Sequence, residues 1–192
     1  MLKIAASLLF LLLGCAAVRA QERRVEVTAG PRAISFSLPA GFERMSAEEV
    51  AAQFTRGVTP LAVFREPRRE LRVTVNTFDG ERQGVEDLPS LGKRLESDFA
   101  AAHPTAKRLS RDIVKLGGDE WVRLRYKATA GIGEVVSETY ATLWAGEVIM
   151  VTFYGPAAEY EGQRAAFRKS AESIELSLSV NAPAGDAPQG RP

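Results

Sequence analysis

The residues able to do chemistry in this chain are few. His103 is the only histidine and Cys15 the only cysteine. A multi-histidine metal site is therefore excluded, and a Ser-His-Asp triad has one available base. His103 stands before Pro104 at the end of an apolar helical period, where an imidazole meets the favourable C-terminal pole of a helix. A tight transition-metal site would need mostly carboxylates, a poor fit to zinc or copper. No Gly-x-Ser-x-Gly elbow, phosphate loop or His-Glu-x-x-His sequence occurs. The expectation is no catalytic set, no metal and no cofactor.

Charged residues gather at three places. Asp79, Glu81, Glu86 and Asp87 surround a glycine-containing loop, with spacing unlike an EF-hand, and read as solvated carboxylates. Arg65, Arg68, Arg69 and Arg72 form the densest basic run, interleaved with Glu66 and Glu70 around Pro67. That run reads as a hairpin tip, an anion-docking loop being the second reading. Along Glu120 to Lys127, Val122, Leu124 and Tyr126 alternate with Trp121, Arg123, Arg125 and Lys127. One strand face is thus apolar, and the other is a cationic row that begins with an indole.

The next strand places Glu138 on a face with Val136, Tyr140 and Trp144, which a carboxylate tolerates only with a partner. In one register Glu138 lies opposite Leu124, and slipped by one it meets Arg123 or Arg125. The two readings are a buried ion pair at Glu138 with the other cations solvated, or a strip of Trp121, Arg123, Arg125 and Lys127 for an anion or a protein partner.

These residues need a scaffold, and hydropathy periods supply one. Val25 to Thr28 and Ala33 to Leu38 read as strands around Ala29-Gly30-Pro31. Ser46 and Glu49 make a capping box for a short helix reaching Phe54. Strands follow at Leu61 to Phe64 and Leu71 to Phe78, before the Asp79-Gly80 break. A second helix runs from Asp87 or Leu88 to Pro104, with Pro89 in its first turn. Four strands come next: Arg108 to Leu116, Glu120 to Ala128, Glu134 to Trp144 and Val148 to Tyr154. The last two turn at Ala145-Gly146-Glu147, with Val136, Tyr140, Trp144, Ile149, Val151 and Phe153 on one face and Ala141, Leu143, Val148 and Met150 on the other. A final helix spans Ala158 to Glu175. The order ββαββαββββα predicts an α+β domain: a largely antiparallel sheet with helices on both faces.

The first residues do not belong to that domain. Lys3 precedes the apolar run Ile4 to Leu13, too short for a bilayer span and right for a secretory signal. Val18-Arg19-Ala20 before Gln21 fits signal cleavage, while Leu12-Leu13-Gly14-Cys15 resembles a lipobox that would lipidate Cys15. Cleavage after Ala20 is the preferred reading, and membrane attachment follows only from the Cys15 alternative. The expected organisation is a signal peptide at 1–20, one domain at 21–178, and a disordered Pro- and Gly-rich tail at 179–192. Removing Lys3 and Arg19 from 25 basic residues leaves 23 against 24 acidic ones, which gives no electrostatic case for nucleic acid.

The element order, headed by Ile34-Ser35-Phe36-Ser37-Leu38-Pro39-Ala40-Gly41-Phe42, resembles the PsbP-like family, which includes extrinsic photosystem II subunits and bacterial envelope lipoproteins of the DcrB type. The resemblance covers about residues 24 to 177. It implies an α/β/α sandwich with a non-catalytic binding or assembly role, and it transfers no functional residue. The sequence thus points to an exported, periplasmic or secreted accessory protein whose partner is an envelope protein or a small anionic ligand. The rivals are a small carboxylate-based hydrolase and a structural envelope lipoprotein anchored through Cys15.

Overall fold

The computed structural model describes residues 23–55, 58–82, 84–131 and 133–179. The expected signal segment with Cys15 and Ala20, the expected cleavage position at Gln21, and the tail beyond Ser179 lie outside the described residues. No helix among the described residues is long and apolar enough to cross a membrane.

Period-two alternation builds the strands. β1 (Arg23–Ala29) and β2 (Arg32–Leu38) form a hairpin in which Ala33, Ile34, Phe36 and Leu38 are buried. A two-residue strand β3 (Glu43–Arg44) leads to α1 (Ala47–Gln53), whose capping box is complete: Glu49 N donates to Ser46 Oγ at 3.2 Å, and Ser46 N donates to the Glu49 carboxylate at 2.8 Å. β4 (Ala62–Glu66) and β5 (Leu71–Asp79) follow, then α2 (Leu88–Ala102), capped by Asp87 and ended by His103. The four long strands are β6 (Lys107–Leu116), β7 (Asp119–Ala130), β8 (Gly133–Trp144) and β9 (Glu147–Pro156). The chain closes with α3 (Ala157–Glu172) and β10 (Glu175–Leu178).

The α+β class and the antiparallel pairing hold throughout, but the single sheet expected from the sequence divides in two. A seven-stranded sheet runs β3-β4-β5-β9-β8-β7-β6, and a separate three-stranded sheet runs β1-β2-β10. The division depends on the end of α3. That helix was expected to reach Glu175, yet it stops at Glu172, and the following residues pair with β2 from Glu175↔Ser35 to Leu178↔Arg32. Gly117, at φ +58° in the β6–β7 turn, has the Ile174 carbonyl where a Cβ would stand. The backbone of residue 174 thus runs against that turn and leaves the helical path. Ser179, expected to open a disordered tail, donates its N–H to Pro31 O at 2.8 Å. Arg24 of β1 reaches Glu175 of β10 across β2 at 2.5 Å.

The large sheet has two differently used faces. Phe64, Leu71, Val73, Val75, Val136, Tyr140, Ile149, Val151 and Phe153 join Ile34, Phe36 and Leu38 of the small sheet and Tyr160 and Phe167 of α3 in the main core. Phe42 packs edge-on against Phe167 at 5.8 Å, so the aromatic of Pro39-Ala40-Gly41-Phe42 anchors that turn to α3. On the opposite face, Leu91 and its partners on α2 cover Val122, Leu124, Ala141 and Val148, while α1 covers Val63. The β8–β9 connection is a two-residue turn, with Ala145 at φ +49° and Gly146 at φ +82°, as a primed hairpin turn requires. Arg32 ties the small sheet to this turn, donating to Ala145 O at 2.9 Å and lying 6.0 Å from the centre of the Trp144 ring.

Candidate functional site

Strand pairing sets Glu138 of β8 directly opposite Arg125 of β7, on the face that α3 covers. Glu138 is only 6% exposed. Tyr140 donates its hydroxyl to Oε1 at 2.8 Å, and Tyr160 of α3 donates to Oε2. Arg123 Nε lies 2.9 Å from Oε1 and Arg125 Nε lies 3.9 Å from Oε2. Neither Nε–H is aimed well enough to count as a hydrogen bond, so the two guanidinium groups act on Glu138 chiefly through charge. Arg125 also pairs with Glu161 of α3 and sits over the Tyr160 ring at 5.7 Å.

The cluster holds two cations and two carboxylates, which offsets the desolvation of Glu138. Burial and the Glu138 charge push the Tyr140 and Tyr160 hydroxyls well above the usual tyrosine range, so both remain neutral donors. Both carboxylate oxygens are engaged and α3 seals them from above. The arrangement is built to hold a helix on a sheet.

That geometry corrects the strip reading. Trp121 is fully buried in the main core and its Nε1 finds no partner there, so it offers no indole for stacking. Arg125 is 9% exposed beneath α3, and Arg123 is partly covered beside it. Lys127 lies at the rim, 2.7 Å from Glu134. The row exists along the strand, but α3 lies across it, which alternation within one strand does not reveal.

The other charged residues named above separate in the same way. Arg65 pairs with Glu43 at 3.1 Å and Glu49 at 2.7 Å, and Arg69 with Glu159 at 3.7 Å. Asp79 accepts from Arg82 N at 3.1 Å. Asp87 caps α2, and the Ser90 backbone N–H holds its carboxyl below the usual carboxylate range. No group of three metal-ligating side chains occurs among the described residues.

Arg72 has a different setting. It pairs across the sheet with Tyr154 and faces the α2 side. There α2 covers β7 and β8 incompletely, because the face changes character along the strands: Ala141, Leu143, Val148 and Met150 lie under the helix, and Ser137, Thr139, Thr152 and Tyr154 beyond its cover. A cleft of about 380 Å³ opens where the cover ends. Ala128, Ala130, Val135 and Ser137 line its floor; Phe99 and His103 stand on one side, and Glu70 and Arg72 on the other.

Tyr126 stacks on Phe99 with ring centres 4.0 Å apart, His103 lies tilted against Phe99 at 4.7 Å, and the three rings form an aromatic wall. The Tyr126 hydroxyl is buried without a hydrogen-bond partner, and burial pushes it above the usual tyrosine range against the pull of Arg108 and Arg111. A second hollow of about 320 Å³, between α1 and the same sheet face, shares Tyr154 with the first. Sequence reasoning placed His103 at its helix end and Arg72 in a basic run, but did not bring them together. The available signal was the apolar-to-hydroxyl change along the outer face of β8 and β9.

Comparison with known proteins matches no family model and no curated protein. Among solved structures the chain is similar to cyanobacterial PsbP (CyanoP) from Synechocystis sp. PCC 6803, at TM-score 0.59 and 15% identity, covering 88% of this chain and 99% of that one. It is similar to LpqN, involved in cell envelope biogenesis of Mycobacterium tuberculosis, at TM-score 0.55 and 12% identity, over 82% and 91% of the two chains. The Saccharomyces cerevisiae Ran-binding protein Mog1p gives TM-score 0.53 and 14% identity, over 81% and 95%. At these identities the likeness is one of fold, and the fold is PsbP-like.

Proposed function

We propose that this chain is an exported, non-catalytic accessory protein of the cell envelope that works by binding. The observation that carries the reading is the cleft on the α2 face, an apolar floor with an aromatic wall and a few polar groups at its rim, the usual make-up of a binding pocket. The groups best placed for proton transfer, Glu138, Tyr140 and Tyr160, are instead committed to one another under α3. The similarity in fold to LpqN, a protein involved in cell envelope biogenesis, supports an extracytoplasmic accessory role.

Site-specific photo-cross-linking in whole cells tests the reading. A cross-linking residue at His103, on the cleft rim, is expected to trap a discrete species from the envelope fraction. The same residue at Arg168, on exposed α3, is expected to trap none. Trapping from Arg168 alone overturns the placement of the binding surface.

A further inference from the structure

We infer that the cleft at the C-terminal end of α2 binds a small organic monoacid, its carboxylate on Arg72 and its aliphatic or aromatic body, of about ten heavy atoms, against Phe99, Tyr126 and Val135. This deepens the binding reading above and rests on it.

Arg72 is the reason for an acid. Among the described residues it has no carboxylate partner, whereas Arg65, Arg69, Arg108 and Arg111 are each ion-paired. Its guanidinium carbon lies 5.9 Å from the centre of the Tyr154 ring, with the Tyr154 hydroxyl at 3.5 Å. Contact with the Tyr154 ring edge and hydroxyl limits the orientations of the guanidinium while its other N–H groups stay available, and that planar fork matches a carboxylate in two-point contact. Half-burial on the strand lowers the water competition that weakens such a contact on an open surface.

The lining is the reason for an apolar body. Ala128, Ala130 and Val135 are small and leave the floor open, and the Tyr126, Phe99 and His103 rings offer aromatic surface beside it. A strongly hydrated anion such as phosphate gains nothing from these walls and loses water to reach them. Glu70, exposed at the same rim, disfavours a second negative charge and so selects a monoanion. The partnerless Tyr126 hydroxyl, behind the Phe99 ring, is a donor still to be satisfied in the wall of the same cleft.

Calorimetry on the processed protein with 4-phenylbutanoate and its neutral counterpart 4-phenylbutan-1-ol tests this. The acid is expected to bind at least about tenfold more tightly than the alcohol. Arg72→Met is expected to bring the acid down to the alcohol's affinity with the melting temperature unchanged, and Arg72→Lys to recover part of the loss. Phe99→Ala is expected to weaken both ligands together. Equal binding of acid and alcohol, or acid binding unaltered in Arg72→Met, overturns the assignment of an acid while leaving the cleft a binding site. Binding of neither ligand at about 5 mM also overturns it, this being weaker than the millimolar floor of useful recognition. The His103 cross-linking result then decides the broader reading independently.

Discussion

Tyr160 of α3 donates its hydroxyl to Glu138 of β8, and this contact ties a helix to a sheet through the most deeply buried charged residue among the described residues. The phenol supplies one of the donors that make a buried carboxylate tolerable, and the carboxylate in turn fixes where the helix lies. Ser170 and Ser173 fasten the other end of α3, with Ser170 Oγ donating to Ser37 O at 2.6 Å and Ser37 N donating to Ser173 Oγ at 2.7 Å.

Removing the charge at Glu138 leaves Arg125 buried beside a neutral amide. Glu138→Gln is expected to cost roughly 3 kcal/mol of folding stability, as for loss of one partner in a buried ion pair. Tyr160→Phe deletes one hydrogen bond to a charged acceptor and should cost about 2 kcal/mol. Lys127→Ala removes only the rim contact with Glu134 and should leave stability unchanged. Denaturant unfolding of the three variants measures this order; an unaltered Glu138→Gln protein would contradict the assignment.

Alkaline pH acts on the same cluster. Tyr140 and Tyr160 titrate in the folded protein above the ordinary tyrosine value of 10.0. Above that value the unfolded chain releases protons that the folded chain retains, so the unfolded state binds fewer protons and stability falls as pH rises. The contribution of the neutral phenols is complete below pH 10. Melting temperature should decline steeply from about pH 10 upward. Absorbance at 295 nm should show fewer than four tyrosines ionising before the protein unfolds.

Ala145 occupies a left-handed turn position at φ +49° that its Cβ disfavours. Ala145→Asn keeps the backbone carbonyl that accepts from Arg32 and places the preferred Asn-Gly pair in the turn. The variant should gain about 0.5–1 kcal/mol in stability by thermal unfolding. A loss would mean that the Ala145 methyl makes a favourable contact outweighing its conformational cost.

Export makes a separate prediction. Intact mass of the processed product should place Gln21 first. An acylated mass beginning at Cys15 would instead make the protein membrane-anchored and favour the lipoprotein reading.

Much of the scaffold was legible because local signals agreed. Ser46 with Glu49, Asp87 with Pro89, and the Ala145-Gly146 turn each fix an element boundary by backbone chemistry. The facing of Glu138 was also readable, because a two-residue turn preserves strand parity. Its partner was narrowed to Arg123 or Arg125 on one of two registers, because the β7–β8 register is set between strands; the structure pairs Arg125↔Glu138 and brings both arginines to the carboxylate. The separate small sheet was hidden for a similar reason: Glu175 to Leu178 carries no strong strand pattern and becomes a strand only beside β2. The cleft draws on residues from four strands, α2 and a turn, and no window of sequence contains it.

The small sheet also constrains the order in which the molecule can be completed. Its middle strand, β2, is among the first described segments, and one of its two neighbours is the last. A chain emerging vectorially from a ribosome or a translocation pore can lay down the β1–β2 hairpin early, but must hold the far edge of β2 unpaired until residues 175–178 arrive. The same closure sets Arg24 and Glu175 in contact. β10 and β1 both run antiparallel to β2, so a circular permutant joining Leu178 to Arg23 needs a linker long enough to run back the length of β2; with one, all three strands would lie in one contiguous segment and the closure of the small sheet would become a local one.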